Sequence, residues 1–551
     1  MTTTRQLAWG LAALILGLPV HGRGQVAIKE LVRDGAPLQA MTPAKLNQLA
    51  DPLFLLVLKD QPQETNLDRI EALLVGPTGQ RHLFVVHEGI QDPARGGGRR
   101  AVIAFSGVNG TVKLDPNVML SLGFTDQGIA PGFIEAWGWD DRRSRYNYYK
   151  LDRQPGETGP TWKFRGASTG ADRLTPAQRQ GTCMACHING APIMKELPFP
   201  WNNWHSFRSL IAYLSPTSPE HWPIAETPRF RDLRGAQDLE TAFLLPAIRQ
   251  FNGRRVTALI RQNAAGQPVT FPGGTQEVTD GPRLLRALFQ TTEYNIVSAG
   301  QLSGLHPLPA AGSGPTEPVV APDTFFLNAN LLAGGGFAQS EGFGIGEARQ
   351  FARLLQLQPA EYRAVVERFR TRLGDRPGDT HFAWFVPEAS HVDNALVDIL
   401  IRRGVITREF AAAVLAIDVE TPVFSTARES LLKFVPPQFR FKPKAPEDVP
   451  VAHPDELTKA VITRVQAANP VAGSPEAQFL TLLQSPTPVE ALRQTVSAYL
   501  GRVRGQLADA AQREAEITRL YQVMLDRRRA AIAHNPTLVE SPELFPVGQA
   551  P

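Results

Sequence analysis

Apolar positions in the first third of the chain, roughly residues 26–166, occur in short runs separated by turn residues. The runs are rich in β-branched and aromatic residues, as is typical of strands, and they read RHLFVVHEGI, RRAVIAFSGV, GFIEAWGW and RYNYYKLD. A polar stretch from Asp140 to Ser144 separates the last two runs and predicts a hairpin connection. We therefore expect a β-rich domain over residues 26–166, built as a sandwich or a barrel-like sheet.

Beyond about residue 167 the apolar residues recur at intervals of three and four, which predicts amphipathic helices. Two clear helical segments run from Asp238 to Gln262 and from Pro282 to Ala299. The predicted organisation is a helical segment at 167–300, a Pro/Gly-rich linker at 301–323, a helical domain at 324–440, a Pro-rich connector at 441–454 and a helical region at 455–551. In that last region, helices are predicted from Asp455 to about His534. The expected fold class is a multi-domain α+β protein.

Composition and charge narrow the classes of function. The 551 residues are 43% hydrophobic and 20% charged, which is ordinary for a folded globular chain. The formal net charge is only +4. A charge this small on a chain of this length gives no basis for nucleic-acid binding, and we expect no nucleic-acid partner.

The N-terminal stretch 1–24 has the order of parts found in a secretory signal. Arg5 precedes an apolar segment from Leu7 to Val20, and Gly22 and Gly24 follow with small-x-small spacing. The alternative is a membrane anchor, but the apolar segment is shorter than the ~20 residues that a spanning helix needs. We predict a cleaved signal peptide, a periplasmic or secreted protein, and no stable membrane span after cleavage.

The only two cysteines of the chain lie three residues apart, and a histidine follows the second, in the sequence Cys183-Met184-Ala185-Cys186-His187. A redox-active dithiol needs only the two cysteines and gives the histidine no role. A zinc site would need a fourth ligand, for which His205 is a candidate. A structural disulfide would close a very short loop and stabilise little. On a helix, by contrast, residues i and i+3 share a face, so two thiols can meet one edge of a flat cofactor.

This C-x-x-C-H arrangement resembles the haem-attachment motif of c-type cytochromes. The resemblance implies one covalently attached haem c, with Cys183 and Cys186 bound to the porphyrin and His187 as an axial ligand to iron. It also implies a helical, cytochrome c-like segment within residues 167–300. Signals for a helix at the motif are present, because Thr175 can cap, Pro176 suits the first turn, and Gly190 with Pro192 ends the segment.

The second axial position has several candidates. Met194, His205 and His221 follow the motif, and an open distal face is the remaining case. The segment from Pro200 to Arg208 offers indole, amide and guanidinium donors for a haem pocket, and a carbonyl within Pro192–Pro200 is expected to accept the other His187 N–H. A second metal site drawn from His381, Glu388 and His391 is disfavoured, because lone histidines beside aromatic residues are more often structural.

The motif therefore predicts an exported monohaem c-type cytochrome that transfers electrons to a redox partner protein or a small-molecule donor or acceptor. The alternative is a c-type haem oxidoreductase with an open distal site, such as a peroxidase or oxygenase. The chain length favours this alternative somewhat, because an electron carrier needs only ~100 residues to bury its haem. A third possibility is a module in which haem serves mainly to support folding. The sequence alone identifies no catalytic residues.

Overall fold

The computed structural model describes residues 28–30, 38–87, 99–107, 117–125, 128–154, 156–179, 182–185, 187, 189–192, 227–292, 294–297, 318–321, 323–334, 342–349, 354–361, 364, 386–445 and 453–534. The strands are β1 Lys29–Glu30, β2 Gln39–Ala40, β3 Gln80–His87, β4 Arg99–Ser106, β5 Val118–Thr125, β6 Gly128–Asp140, β7 Arg145–Asp152, β8 Thr161–Ala167, β9 Arg234–Gly235, β10 Gln276–Val278, β11 Tyr294–Val297, β12 Val319–Val320, β13 Gln356–Leu357, β14 Val386–Ala389 and β15 Phe439–Phe441.

Nine of these strands form one sheet in the order β2-β1-β8-β7-β6-β5-β4-β3-β9. Strands β3 to β8 are an antiparallel meander, whereas β1 joins β8 and β9 joins β3 in parallel. The predicted hairpin is confirmed, because Asp140 of β6 pairs with Arg145 of β7 and the residues between them form the turn. Strand β9 comes from beyond the motif segment, so the sheet is completed by chain outside the predicted 26–166 domain.

Both faces of the sheet are buried, and each is covered by helices. Alternate residues of the meander, such as Ala136 and Tyr149, pack with a π-helix at Phe54–Leu58 and with helix α2. The residues between them, such as Trp137 and Tyr148, face the opposite side and pack on a helical segment from beyond residue 235. The strands described within residues 26–166 therefore lie in one helix-covered sheet in place of the predicted β-sandwich, because the alternating pattern marks a strand with buried faces but does not identify what buries them.

The α-helices are α1 Pro43–Leu46, α2 Leu67–Val75, α3 Pro176–Arg179, α4 Ala236–Leu239, α5 Leu245–Ala258, α6 Gly281–Phe289, α7 Ala329–Leu332, α8 His391–Arg402, α9 Arg408–Leu415, α10 Thr426–Leu431, α11 Glu456–Ala467, α12 Pro475–Gln484, α13 Pro488–Ala508 and α14 Arg513–His534. A π-helix at Glu240–Leu244 joins α4 to α5, so this region follows the helix predicted for Asp238–Gln262. One apolar core runs from Val256 on α5 to Tyr521 on α14 and joins most of these helices.

Two other helix predictions have different outcomes. The C-terminal helices are confirmed within the described residues, because the Asp455 carboxylate caps α11, accepting from Thr458 N at 2.9 Å, and α12, α13 and α14 follow. The helix predicted for Pro282–Ala299 is only partly right. Helix α6 ends at Phe289, and Tyr294–Val297 pairs with β14 as strand β11. The aromatic and β-branched residues in this stretch favour strands.

The broad α+β class is thus confirmed, with one large sheet and many helices. The predicted signal peptide at 1–24, most of the 301–323 linker and residues 446–452 of the Pro-rich connector lie outside the described residues. Among the helices that are described, none is both long enough and apolar enough to cross a membrane.

Candidate functional site

The cysteine and histidine segment lies against the sheet face that carries Trp137 and Tyr148. It begins with α3, whose first turn has reciprocal caps: Gln178 N donates to Thr175 Oγ1, and Thr175 N donates to Gln178 Oε1. The helix predicted through the motif does not form as one unit. Helix α3 spans Pro176–Arg179, Thr182 is not helical and its hydroxyl donates to the Arg179 carbonyl at 2.6 Å, and a 3₁₀ turn spans Cys183–Ala185. The first cysteine is therefore carried by a tight turn.

The two residues that open this turn are directed differently. Met184 is buried and packs over the backbone of Gly166 in β8, where an added Cβ would lie 3.7 Å from Met184 Cγ. Cys183 is only partly buried, at the edge of the same apolar cluster. Cys186 lies outside the described residues. Met184 thus anchors the turn to the sheet, while Cys183 lies nearer the surface of the apolar cluster.

His187 is held by contacts on both its backbone and its ring. Its N–H donates to the Cys183 carbonyl at 2.9 Å, and the residue is 8% exposed. Nδ1 lies 2.6 Å from the carbonyl oxygen of Ala191. Because a carbonyl can only accept, Nδ1 carries the proton in this contact, and a neutral ring then has its lone pair at Nε2. This is the tautomer in which Nε2 can bind a metal.

Tyr148 of β7 supports the same contact from the sheet. Its ring lies 4.7 Å from the His187 ring, centroid to centroid, with an angle of 43° between the planes. Its hydroxyl is 2.7 Å from the Ala191 carbonyl oxygen and 2.9 Å from that of Gly190. The carbonyl that orients His187 is therefore itself positioned by a buried side chain of a central strand.

Gly190 closes the loop between His187 and Ala191. Its N–H donates to the His187 carbonyl at 2.7 Å, and its φ is +75°, in the left-handed region that favours glycine. A Cβ at this position would lie 2.5 Å from Ser168 Cα, closer than real atoms approach. The sequence can place the Ala191 carbonyl under His187 only because residue 190 has no side chain.

Asn189 ties the loop to the helical part of the molecule. Its Nδ2 donates to Thr292 Oγ1 at 2.8 Å, and Thr292 donates from Oγ1 and from its backbone N–H to the two carboxylate oxygens of Asp393 at 2.6 and 2.7 Å. All three residues are buried. The Ser390 hydroxyl caps α8 by accepting from Asp393 N. This Asn189–Thr292–Asp393 chain fixes the loop relative to α8.

A cleft of about 770 Å³ opens beside the loop, and Asn189 and Thr292 are part of its lining. The lining also contains five arginines and two acids, namely Arg173, Arg179, Arg255, Arg283, Arg286, Asp172 and Glu429. Arg283 makes a bidentate pair with Asp172 at 2.6 and 2.8 Å, which joins α6 to the segment before the motif. Burial raises the pKa of Asp172, but the hydrogen bonds and charge of Arg283 outweigh it, and the net direction is down. The cleft thus has a net positive lining.

The other predicted candidates do not join this site in the described part of the chain. Met194, His205, His221 and the segment from Pro200 to Arg208 lie outside it. So does His381, and of Glu388 only the backbone, in β14, is described. The buried His391 ring has Nε2 3.3 Å from Glu240 Oε1. Within the described residues no group of three or more His, Cys, Asp or Glu side chains is arranged to hold a metal.

Sequence reasoning found His187 and expected a backbone acceptor for its ring, but placed that acceptor within Pro192–Pro200 when it is Ala191. It missed Tyr148, Thr292 and Asp393, which are distant in sequence and carry no local signal. Comparisons of the chain with protein-family models, with curated proteins and with solved structures found no match. The functional argument therefore depends on the geometry of the site.

Proposed function

We propose that this chain is an exported monohaem c-type cytochrome, with haem c attached through Cys183 and Cys186 and iron held by Nε2 of His187. The observation that carries the proposal is the 2.6 Å contact between His187 Nδ1 and the Ala191 carbonyl. Histidines that bind metals commonly donate their other N–H to such an acceptor, which fixes the tautomer and the plane of the ring. The described surroundings of His187 thus suit the axial ligand that the C-x-x-C-H motif implies.

The bound haem would supply an iron that gains and loses one electron. The protein's own residues have three tasks in this proposal. Ala191 and Tyr148 keep the His187 ring in one orientation, so that its donor atom does not move between oxidation states. Burial of His187 limits water at the ligand. The Ala191 carbonyl, which also accepts from the Tyr148 hydroxyl, polarises the Nδ1–H of His187. This polarisation sets how strongly His187 donates electrons to iron, and hence the reduction potential of the haem.

The cleft beside Asn189 supports a second candidate, a c-type haem oxidoreductase that acts on a small molecule. An electron carrier needs no cleft of about 770 Å³ beside its haem-attachment loop, whereas an enzyme needs room for its substrate. Both candidates share the covalent haem, and they differ in whether the second axial position admits a ligand.

Covalent haem attachment, which both candidates share, is tested with the double variant Cys183→Ala, Cys186→Ala. The protein is exported from cells that attach haem c. We expect the wild type to keep haem through boiling in detergent and the double variant to lose it. Haem stain retained by the double variant, or exported wild type without haem, would refute covalent attachment. Replacing His187 with Ala should leave haem attached but change the iron's absorption bands, whereas His453→Gln, remote in sequence and hydrogen-bonded to the Leu483 carbonyl, should change neither.

Carbon monoxide separates the two candidates. Ferrous protein whose absorption bands do not respond to carbon monoxide has two strong axial ligands and transfers electrons. Ferrous protein that binds carbon monoxide has an open position and supports the oxidoreductase.

A further inference from the structure

Part of the polar lining of the arginine-lined cleft is held in place by neighbouring residues. Thr292 is oriented by two bonds to the buried Asp393 carboxylate, and it accepts from the Asn189 amide. Arg283 is oriented by its bidentate pair with Asp172. Side chains held in this way do not have to be ordered when a ligand enters, which lowers the entropic cost of binding.

The charge of the lining selects the class of ligand. Five arginines and two acids line the cleft of about 770 Å³, and Asp280, beside the lining, lies 3.8 Å from Arg173, so the arginines remain in excess. Arg283 and Asp172 neutralise one another. In the described part of the chain, Arg255 donates to Asn252 Oδ1 and Arg286 to Gln290 Oε1, and both acceptors are neutral amides. Arg255 also lies over the Phe251 ring, with its Cζ 5.6 Å from the ring centroid, and its charge helps to lower the pKa of Asp172. Within the described residues, however, neither Arg255 on α5 nor the exposed Arg286 on α6 donates a hydrogen bond to a carboxylate, so each can pair with an anion. Guanidinium groups bind carboxylate and phosphate oxygens in paired, directional hydrogen bonds.

We propose that the cleft binds a small organic anion through its carboxylate or phosphate oxygens, with Arg255 and Arg286 as the principal charge partners. The binding itself does not require haem. Its role as a substrate site rests on the proposed haem function, because Asn189 links the cleft to His187 two residues earlier in the same loop.

Titration calorimetry on the full-length, haem-loaded protein tests the proposal, with citrate and inorganic phosphate as probes and trimethyl citrate as the uncharged control. We expect at least one of the two anions to bind and trimethyl citrate not to bind. Arg255→Gln and Arg286→Gln should each weaken binding by roughly tenfold or more, the usual effect of losing a charge-assisted hydrogen bond. Arg464→Gln, an exposed arginine on α11, removes the same charge and should have no effect. Glu429→Gln should strengthen binding by roughly two- to fivefold, because it removes an exposed negative charge from the lining.

Two results would overturn the proposal. The first is no anion binding by the wild type, or equal losses in Arg255→Gln and Arg464→Gln, which would show only an effect of net charge. The second is anion binding by the haem-free Cys183→Ala, Cys186→Ala protein but not by the haem-loaded wild type, because the arginines would then serve the carboxylates of haem itself. If the wild type proves to carry no haem and still binds the anion at Arg255 and Arg286, the cleft assignment stands while the proposed haem function fails.

Discussion

Replacing Gly190 with Ala tests how the His187 loop is held against the sheet. Two costs can be worked out from the structure. The first is the left-handed backbone at φ +75°, which costs an L residue roughly 1–2 kcal/mol. The second is contact, because the new Cβ would lie 2.5 Å from Ser168 Cα and 2.8 Å from Ser168 Cβ. Overpacking of this kind costs typically about 1–3 kcal/mol. The expected loss of unfolding free energy is therefore about 2–5 kcal/mol.

Gly170 provides a matched control in the same segment. Its φ is +77°, almost equal to that of Gly190, but an added Cβ would meet no atom within 4 Å. Gly170→Ala should therefore show only the backbone cost of about 1–2 kcal/mol. Urea denaturation followed by tryptophan fluorescence gives the comparison, since Trp137, Trp139 and Trp162 are buried in the sheet. If the two variants agreed within about 0.5 kcal/mol, the close approach of residue 190 to Ser168 would not be a real constraint, and the reasoning would be refuted.

Two further perturbations test the supports of the sheet and of its edge. Tyr148→Phe removes the hydroxyl that donates to the buried Gly190 and Ala191 carbonyls, and we expect a loss of about 1–2 kcal/mol in the same urea assay; unchanged stability would contradict that role. Burial raises the pKa of Glu157, but hydrogen bonds, chiefly from Lys29, Gln154 and Lys163, lower it to about 2 from a usual value of 4.5. The contribution of Glu157 to stability is therefore present above about pH 4.5 and is lost as the pH falls towards about 2. Glu157→Gln should make the midpoint of urea unfolding depend less on pH over this range. An unchanged pH dependence would exclude this contribution of Glu157.

Features that depend on neighbouring residues were predictable from the sequence. The hairpin at Asp140–Ser144 follows from a polar turn between two strand-like runs, and the start of α11 follows from the cap at Asp455. Both are decided within a few residues of chain. The motif helix was not, because Thr182 is not helical and Cys183–Ala185 form a 3₁₀ turn, although the capping signals at α3 are real.

Features that depend on contacts between residues far apart in the sequence were not predictable. The meander has apolar residues on both faces, which suits a sandwich as well as a sheet between helices, and the covering helix α5 comes about a hundred residues later. The polar partners of the His187 loop also come from distant parts of the sequence. Asn189 and Thr292 are 103 residues apart, and Thr292 and Asp393 are 101 apart. Nothing in the local sequence of Thr292 distinguishes it from an exposed threonine.

The distant contacts explain how the described residues of the His187 loop can be held in one position. The 3₁₀ turn at Cys183–Ala185 has little stability of its own. The His187 loop is instead fixed from three sides: by Tyr148 on β7, by Ser168 after β8, and by Thr292 with Asp393. Each support belongs to, or directly adjoins, a regular element with its own buried contacts. A metal ligand keeps its geometry when the groups around it are locked by packing and hydrogen bonds, and it need not lie on a long helix. The structure therefore supports the proposed role of His187 through its surroundings, although the described part of the motif forms a 3₁₀ turn where a helix was expected.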